Sequence, residues 1–195
     1  MPFDISGIQL RDLTPEERVD FSKSYEVAGE YQAPPEEGQY LFQTTALKAA
    51  KHKEGILAAD LTAVVADVAS NTQGKGYKVY ENGGIFNIKR SKFRNASNVD
   101  DYLRSHGIAF DPGSTPTNAE YAQALGLTEG RFFPATIVWE GYCKDCDSTI
   151  KGMDQFPKNA DGTRSYRRPC ATCKKEVFAR GKFKRYISTV PGDQK

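Results

Sequence analysis

Four cysteines in two closely spaced pairs constrain this chain more than any other feature. They form Cys143-Lys-Asp-Cys146 and Cys170-Ala-Thr-Cys173, with 23 residues between the pairs and no cysteine left over. Each CxxC element can place two thiolates at a tight turn, and two such elements can surround one tetrahedral Zn²⁺ ion. The spacing therefore predicts a zinc ribbon over residues 143–173, with all four cysteines as ligands.

Other roles for the cysteines fit the sequence less well. A disulfide framework is typical of small secreted domains, whereas this chain of 195 residues begins without a basic and apolar signal segment and is long enough to build its own core. A thioredoxin-like redox site needs one CxxC on a βαβ unit rather than two. Four thiolates leave no open position for catalysis, so we interpret the zinc as structural. We also expect a cytoplasmic protein without a membrane span.

Charge is distributed unevenly, although the whole chain has a formal net charge of only +2. Residues 1–37 hold 3 basic and 9 acidic side chains, a net charge of −6. Residues 74–94 hold 6 basic and 1 acidic side chain (+5), and residues 143–195 hold 13 and 6 (+7). Four thiolates with one Zn²⁺ add −2 to that last region. Near-neutrality therefore does not exclude a polyanionic partner, and the acidic leader is able to compete with phosphate for the basic regions.

Hydrophobic alternation and turn signals outline a mainly β chain of the α+β class. Strand formers dominate five segments: residues 40–47, 77–80, 85–89, 132–142 and 176–188. Residues 56–69 fit either a strand or a helix. Ser97 and the capping box that begins at Thr117 predict two short helices, which end at Gly107 and Gly126. The last two strands flank the cysteines, so the ribbon is predicted at the tip of a hairpin.

These elements predict a small OB-like Greek-key barrel with short helices and an inserted zinc-ribbon hairpin. We divide the chain into an acidic leader over residues 1–37 and an OB-like domain over 38–190, with the ribbon inserted at 143–173. Residues 191–195 are predicted to form a flexible tail. Barrels of this type bind single strands in a surface groove by stacking and charge.

Basic and aromatic side chains alternate in both basic regions, which is typical of a surface that binds phosphates and bases. The simplest alternative is a solvated surface for the charges and a place in the core for each aromatic ring. The predicted stacking residues are Tyr77, Tyr80, Phe86 and Phe93. The predicted phosphate contacts are Lys78, Lys89, Arg90, Lys92 and Arg94, extended by Arg167, Arg168, Lys182, Lys184 and Arg185.

Several short motifs carry a family resemblance over about half of the chain. They are PPEEGQY at residues 34–40, GYKVY at 76–80, DYLRSHGI at 101–108 and GRFFPA at 130–135. In these motifs the chain resembles phage-type single-stranded-DNA-binding proteins. The resemblance implies an OB-like fold and single-strand binding in DNA replication, recombination or repair, in the cytoplasm of a bacterial host. The cysteine insertion and the N-terminal position of the acidic segment depart from that pattern.

Two other functions stay open from the sequence. A zinc-ribbon adaptor could dock on a replication or transcription protein through residues 1–37 or 143–173, without strong nucleic-acid binding. A Mg²⁺-dependent nuclease would need clustered carboxylates. The candidate acids are Asp60, Asp67, Asp100, Asp101, Asp111 and Glu120. No spacing singles out a catalytic pair, and helix starts explain Asp100, Asp101 and Glu120. We therefore expect a binding protein rather than an enzyme, with single-stranded nucleic acid, DNA rather than RNA, as its partner, and replication or recombination proteins as further partners.

Overall fold

The computed structural model describes residues 32–51, 57–81 and 98–193. Its strands and helices belong to one compact unit, Ala33–Lys195. In chain order the elements are β1 (Gly38–Lys51), β2 (Leu57–Val65), β3 (Lys78–Glu81), α1 (Asn98–Ser105), α2 (Asn118–Gly126), β4 (Phe132–Cys143), β5 (Ser148–Lys151), β6 (Arg167–Pro169) and β7 (Glu176–Tyr186). The predicted strand at 85–89, the Ser97 cap and residues 1–31 of the leader lie outside the described residues.

The seven strands form one antiparallel sheet in the order β3-β2-β1-β4-β7-β6, and β5 pairs with the far end of β4. With two short helices, this confirms the predicted mainly β, α+β class. The late hairpin is also present, because β4 pairs with β7 from Ala135–Tyr186 to Gly141–Ala179. No described helix is long and apolar enough to cross a membrane.

Strand β2 lies within residues 56–69, the segment whose pattern fitted either a strand or a helix. Leu61, Ala63 and Val65 are buried on alternate positions, and they face the core from a ladder with β1. This period of two is the spacing of one face of a strand. The alanines of the segment therefore serve close packing between β1 and β2 rather than a helix.

Strand β3 approaches β7 through side chains at the other end of the sheet. The Tyr77 hydroxyl accepts a hydrogen bond from the Gly181 N–H at 2.8 Å. A Cβ at Gly181 would lie 3.0 Å from the Tyr77 ring, so the missing side chain makes room for it. Among the described residues no backbone ladder joins β3 to β7. Closure of the sheet into an OB-like Greek-key barrel therefore stays a prediction.

The main core is rich in aromatic rings packed between the sheet and α1. Phe42 and Phe133 stack at 5.7 Å between ring centroids, and Tyr102 of α1 meets Phe133 edge-on at 5.3 Å. The buried Tyr102 hydroxyl is satisfied by Thr44 and Thr128, at 2.7 and 2.9 Å. Such pairs add to the stabilisation that burial of their large apolar area provides. This core fixes α1 against β1 and β4.

Both helix ends follow the predicted local chemistry. Thr117 and Glu120 form the capping box of α2, and Gly126 is its last residue. After α1, Gly107 adopts a left-handed conformation with φ of 73°, which favours glycine. The cap and stop signals acted locally, as short-range hydrogen bonds do.

Asp193, which lies in the segment 191–195 that is predicted to form a flexible tail, contacts residues outside that segment, and the flexibility of the tail stays a prediction. The Asp193 carboxylate accepts hydrogen bonds from Arg104 at 2.5 Å and Ser188 at 2.7 Å, and these contacts lower its pKa. The Thr189 N–H donates to the Arg104 carbonyl at 2.9 Å. Terminal position alone could not predict the contact with Arg104, because this residue lies on α1, far away in sequence.

Candidate functional site

The four cysteines lie in two turns at the tip of the β4–β7 hairpin. Cys143 ends β4, and Cys146 lies in the turn that leads into β5. Cys170 directly follows β6, and Cys173 lies in the turn before β7. Since β5 pairs with β4 and β6 pairs with β7, each small hairpin positions one CxxC pair.

The four sulfurs form a compact cluster that is able to bind a metal ion. All four Sγ atoms lie within 4.8 Å of one another. The shortest separations are 3.3 Å between Cys143 and Cys173 and 3.4 Å between Cys146 and Cys170. Sulfurs of a tetrahedral site with metal–sulfur bonds of about 2.3 Å would lie about 3.8 Å apart. Within the described ranges, no other group of three or more Cys, His, Asp or Glu side chains gathers in this way.

The two cysteine turns share a backbone conformation that the sequence shows only as a repeated CxxC. The residue after each second cysteine is left-handed, with φ of 52° at Asp147 and 61° at Lys174. In the second turn the Lys174 N–H donates to the Cys170 carbonyl at 3.0 Å. The Asp147 carboxylate accepts a short hydrogen bond from the Tyr142 hydroxyl. Both turns thus bend sharply enough to bring each pair of sulfurs to one side.

Polar groups around the cluster favour a thiolate at Cys170. The Ser148 hydroxyl and the N–H groups of Cys173 and Thr172 lower the pKa of the Cys170 thiol to about 5. Hydrogen bonding to the Cys173 thiol and burial instead raise the pKa of the Cys143 thiol to about 12. Four thiols this close cannot all ionise without a cation, because each new negative charge opposes the next. A bound metal ion would replace the protons.

The base of the ribbon is tied to the segment that precedes β1. The Trp139 indole N–H donates to the Pro35 carbonyl at 2.7 Å. One carboxylate oxygen of Glu37 accepts the backbone N–H groups of Trp139 and Met153, both at 2.8 Å. The indole also packs edge-on against Phe156, with 5.5 Å between ring centroids. Sequence reasoning missed the contacts with Pro35 and Glu37 because the partners lie more than a hundred residues apart.

The predicted binding residues in β3 and directly before it divide between the surface and the core. Lys78 and Tyr80 are exposed, and Tyr80 is 50% exposed. Tyr77 is only 7% exposed and belongs to the main core, so the prediction that it stacks on a base is wrong. Its ring fills the space above Gly181, and its hydroxyl is bound to that residue. The alternation of the segment was correct, but Tyr77 lies on the inward face.

Lys182 is engaged inside the molecule and is not available as the predicted phosphate contact. Its ammonium lies 3.7 Å from a carboxylate oxygen of Glu81, and its side chain is 14% exposed. Glu81 is buried, which raises the pKa of its carboxyl, while Lys182 and a backbone hydrogen bond with Phe183 act in the opposite direction. An ammonium paired with a buried carboxylate stays where it is, because removing it would leave an uncompensated charge.

The remaining predicted contacts differ in exposure. Lys184 and Arg185 are exposed at the end of β7. Arg167 is exposed on β6, whereas half-buried Arg168 donates to the Gln155 carbonyl at 2.5 Å and helps to hold the loop. Six predicted residues lie outside the described ranges: Phe86, Lys89, Arg90, Lys92, Phe93 and Arg94.

Compared with models of known protein families, with curated proteins and with solved structures, the chain gives no match.

Proposed function

We propose that the protein binds single-stranded DNA without catalysing a reaction on it. The observation that carries the proposal is Tyr80, which is 50% exposed on β3 with exposed Lys78 two residues before it. Because side chains alternate along a strand, both project from the same face. An exposed ring beside a cation suits stacking on a base whose phosphate lies nearby.

Basic side chains of β7 extend this face. The Lys182 ammonium lies 3.4 Å from the Tyr80 carbonyl oxygen, so β3 and β7 adjoin at this point. Exposed Arg180 and Arg185 add positive charge along β7. The acidic residue of β3, Glu81, is turned inward and paired with Lys182. The charge offered to solvent is therefore mainly positive, which supports binding of a polyanion.

We also propose that the four-cysteine cluster holds one structural Zn²⁺ ion. Thiolate ligands select soft or borderline metals, and two CxxC turns are typical of structural zinc sites. Cys143 and Cys170 are buried and the other two cysteines are half-buried, so the ligand shell is closed. A closed shell supports a role in ordering the ribbon rather than in activating water.

The cellular role that we propose is DNA replication, recombination or repair. It rests on the resemblance of residues 34–40, 76–80 and 101–108 to phage-type single-stranded-DNA-binding proteins. The second of these segments includes Lys78 and Tyr80 of β3, which carry the proposed binding face.

A fluorescence anisotropy titration of the zinc-loaded full chain tests the proposal. Labelled oligo-dT, oligo-U of equal length and a duplex of equal length are compared at 50 and 200 mM salt. We expect preference for oligo-dT over the duplex. Four phosphate contacts would weaken binding to a single strand about 50-fold between the two salt concentrations. Tyr80→Leu should weaken binding at both.

Four results would contradict the proposal. Binding to oligo-dT that is unchanged by salt would remove its electrostatic basis, and equal binding to the duplex would remove its strand preference. Tight, specific binding to oligo-U alone would redirect it to RNA. An oligonucleotide that does not bind at all would favour the adaptor alternative.

A further inference from the structure

The outer face of the ribbon carries a row of exposed side chains that runs across adjoining strands. Gly141 of β4 pairs with Ala179 of β7, so Tyr142 and Phe178 are the next neighbours along these antiparallel strands. They are 43% and 37% exposed. Two large exposed rings therefore belong to neighbouring positions of adjoining strands.

An arginine extends the row onto β6. Arg167 pairs with Phe178 in the β6–β7 ladder. Its guanidinium carbon lies 5.1 Å from the ring centroids of both Phe178 and Tyr166, within the range of cation–π attraction. Arg167 is exposed. The two rings hold the guanidinium in place and leave its edge open to solvent.

The opposite face of the same strands supports the metal centre. Cys143 and Val177, the immediate neighbours of Tyr142 and Phe178, are buried and pack in one cluster with Cys170. Because alternate side chains point to opposite faces, the rings lie directly over the sulfur cluster. A metal ion that orders the cysteines would therefore also fix the spacing of the rings.

We propose that this row, formed by Tyr142, Phe178 and Arg167, is a second stacking surface for unpaired bases of a single-stranded nucleic acid. The inference rests on the proposed function and adds to it that the ribbon itself binds the strand. Rings on neighbouring strands offer successive stacking positions, and every base has a face that can use them.

Charge around the row favours a nucleic acid as the occupant. Arg167 is held beside the rings, and Arg180 lies two residues from Phe178 on the same face of β7. Two acids of this face are engaged, whereas exposed Glu176 lies on the same face of β7, two residues before Phe178. Glu140 lies 3.7 Å from Arg180, and Asp147 accepts the Tyr142 hydroxyl. A planar, always charged guanidinium suits contact with both a base face and a phosphate.

Photocrosslinking of the zinc-loaded full chain tests the inference at residue level. Oligo-dT that contains 5-iododeoxyuridine is irradiated in complex with the protein, and crosslinked peptides are identified by mass spectrometry. We expect crosslinks at Tyr142 or Phe178 in addition to Tyr80. Crosslinks at Tyr80 without any in the ribbon would overturn this inference and leave the proposed function intact. A lack of binding would overturn both.

A matched set of variants measures how much the two rings contribute to the affinity for oligo-dT. The double variant Tyr142→Leu/Phe178→Leu keeps apolar bulk but removes both rings. We expect at least about fivefold weaker binding to oligo-dT, which corresponds to about 1 kcal/mol and the lower end of the range for one stacked base. Phe132→Leu is the control, because Phe132 is 49% exposed at the other end of β4. It should bind like the wild type.

Zinc content and thermal melting are measured on each variant to establish that the ribbon is folded. If the double variant is folded and binds with unchanged affinity, the ribbon does not contribute to binding and the inference is wrong. If it does not fold, Arg167→Gln serves in its place, with the same expected direction and the same reading. The other possible occupant is a second copy of the chain, and sedimentation compares the oligomeric state of the wild type with that of the double variant. A changed oligomeric state without ribbon crosslinks would assign the row to self-association.

Discussion

The main sheet and the ribbon are built from the same pair of long strands, but they are stabilised differently. The main sheet encloses packed rings, among them Phe42, Tyr102 and Phe133. The ribbon buries a small cluster of Trp139, Phe156 and Ala179, with four cysteines beyond it. A large apolar core stabilises itself, whereas we expect a segment with so little buried area to depend on a metal ion. The two regions should therefore respond to different changes.

Loss of one metal ligand should produce the largest difference between the two regions. Cys170→Ser is expected to abolish stoichiometric zinc binding and to unfold the ribbon locally, because structural zinc contributes roughly 10–16 kcal/mol in small zinc-binding peptides. Hydrogen exchange should lose protection in residues 143–179 and retain it in β1 and β2. Ala171→Ser places a serine in the same turn and should bind zinc normally. Uniform loss of protection throughout the sheet would contradict the comparison.

A methyl group at the β3–β7 contact should affect the main sheet and leave the metal centre intact. In Gly181→Ala the new Cβ would meet the Tyr77 ring at 3.0 Å, in a packed region where little can move. We expect a loss of about 1–3 kcal/mol in urea unfolding, with unchanged zinc content. Gly126→Ala is the matched control, since nothing lies within 4 Å of its added Cβ. Equal stability of the two variants would show that the Tyr77 ring is not tightly packed against Gly181 of β7.

Acid should weaken the main sheet through His106. Its ring packs on Tyr102 and Phe133, with 4.5 and 4.9 Å between centroids. Burial chiefly lowers the pKa of this imidazole below its ordinary 6.5, and Arg131 acts in the same direction, against a hydrogen bond to the Tyr102 carbonyl. The unfolded chain therefore takes up this proton more readily than the folded chain. The contribution is fully present above about pH 6.5 and declines as the pH falls below that value.

Melting temperatures between pH 7.5 and 5.5 test this dependence. In His106→Gln the melting temperature should fall less with decreasing pH than in the wild type. Zinc content is measured at each pH so that metal loss is separated from histidine titration. A variant whose slope equals that of the wild type would assign the acid sensitivity to other groups.

The smallest expected effect is a gain of stability in the ribbon alone. Lys174 has φ of 61°, a conformation that glycine adopts at little cost. Lys174→Gly should stabilise the zinc-loaded protein by about 0.5–1 kcal/mol in local hydrogen exchange at the cysteine turns. Lys175→Gly, one residue later and without a positive φ, should be neutral or destabilising. The Lys174 ammonium donates to the Ala171 carbonyl at 3.0 Å. A lower stability for Lys174→Gly would mean that loss of this hydrogen bond outweighs the relief of backbone strain.

Much of the fold could be predicted because its signals are local. The alternation of residues 40–47 and 132–142, the capping box at Thr117 and the turn glycine at Gly107 each act over a few residues, and the structure contains the elements that they predict. Within the ambiguous segment 56–69, residues 57–65 form strand β2, because β1 offers a partner for their backbone. Local signals therefore predicted most elements, while the pairing of strands decided the uncertain one.

The binding surface was less predictable, because alternation defines two faces without saying which is buried. Tyr77 and Tyr80 belong to the same short basic segment. The Tyr77 ring packs against Gly181 and is buried, whereas the Tyr80 ring is exposed. Phe178 and Tyr142 were missed although they flank buried neighbours of the cysteine cluster. Their positions follow once Cys143 is known to face the metal centre, so alternation counted back from the cysteine could have found them.

The sequence by itself determined the two cysteine pairs that could bind a metal ion, since two residues between paired cysteines suffice to bring their sulfurs to one turn. Only the tertiary structure decided which lysines and rings are offered to solvent. Lys182 looks like its basic neighbours in sequence, but Glu81 on another strand holds it inside. The physical reason is distance along the chain. Ligand spacing is set within four residues, whereas exposure depends on which distant strand comes to lie alongside.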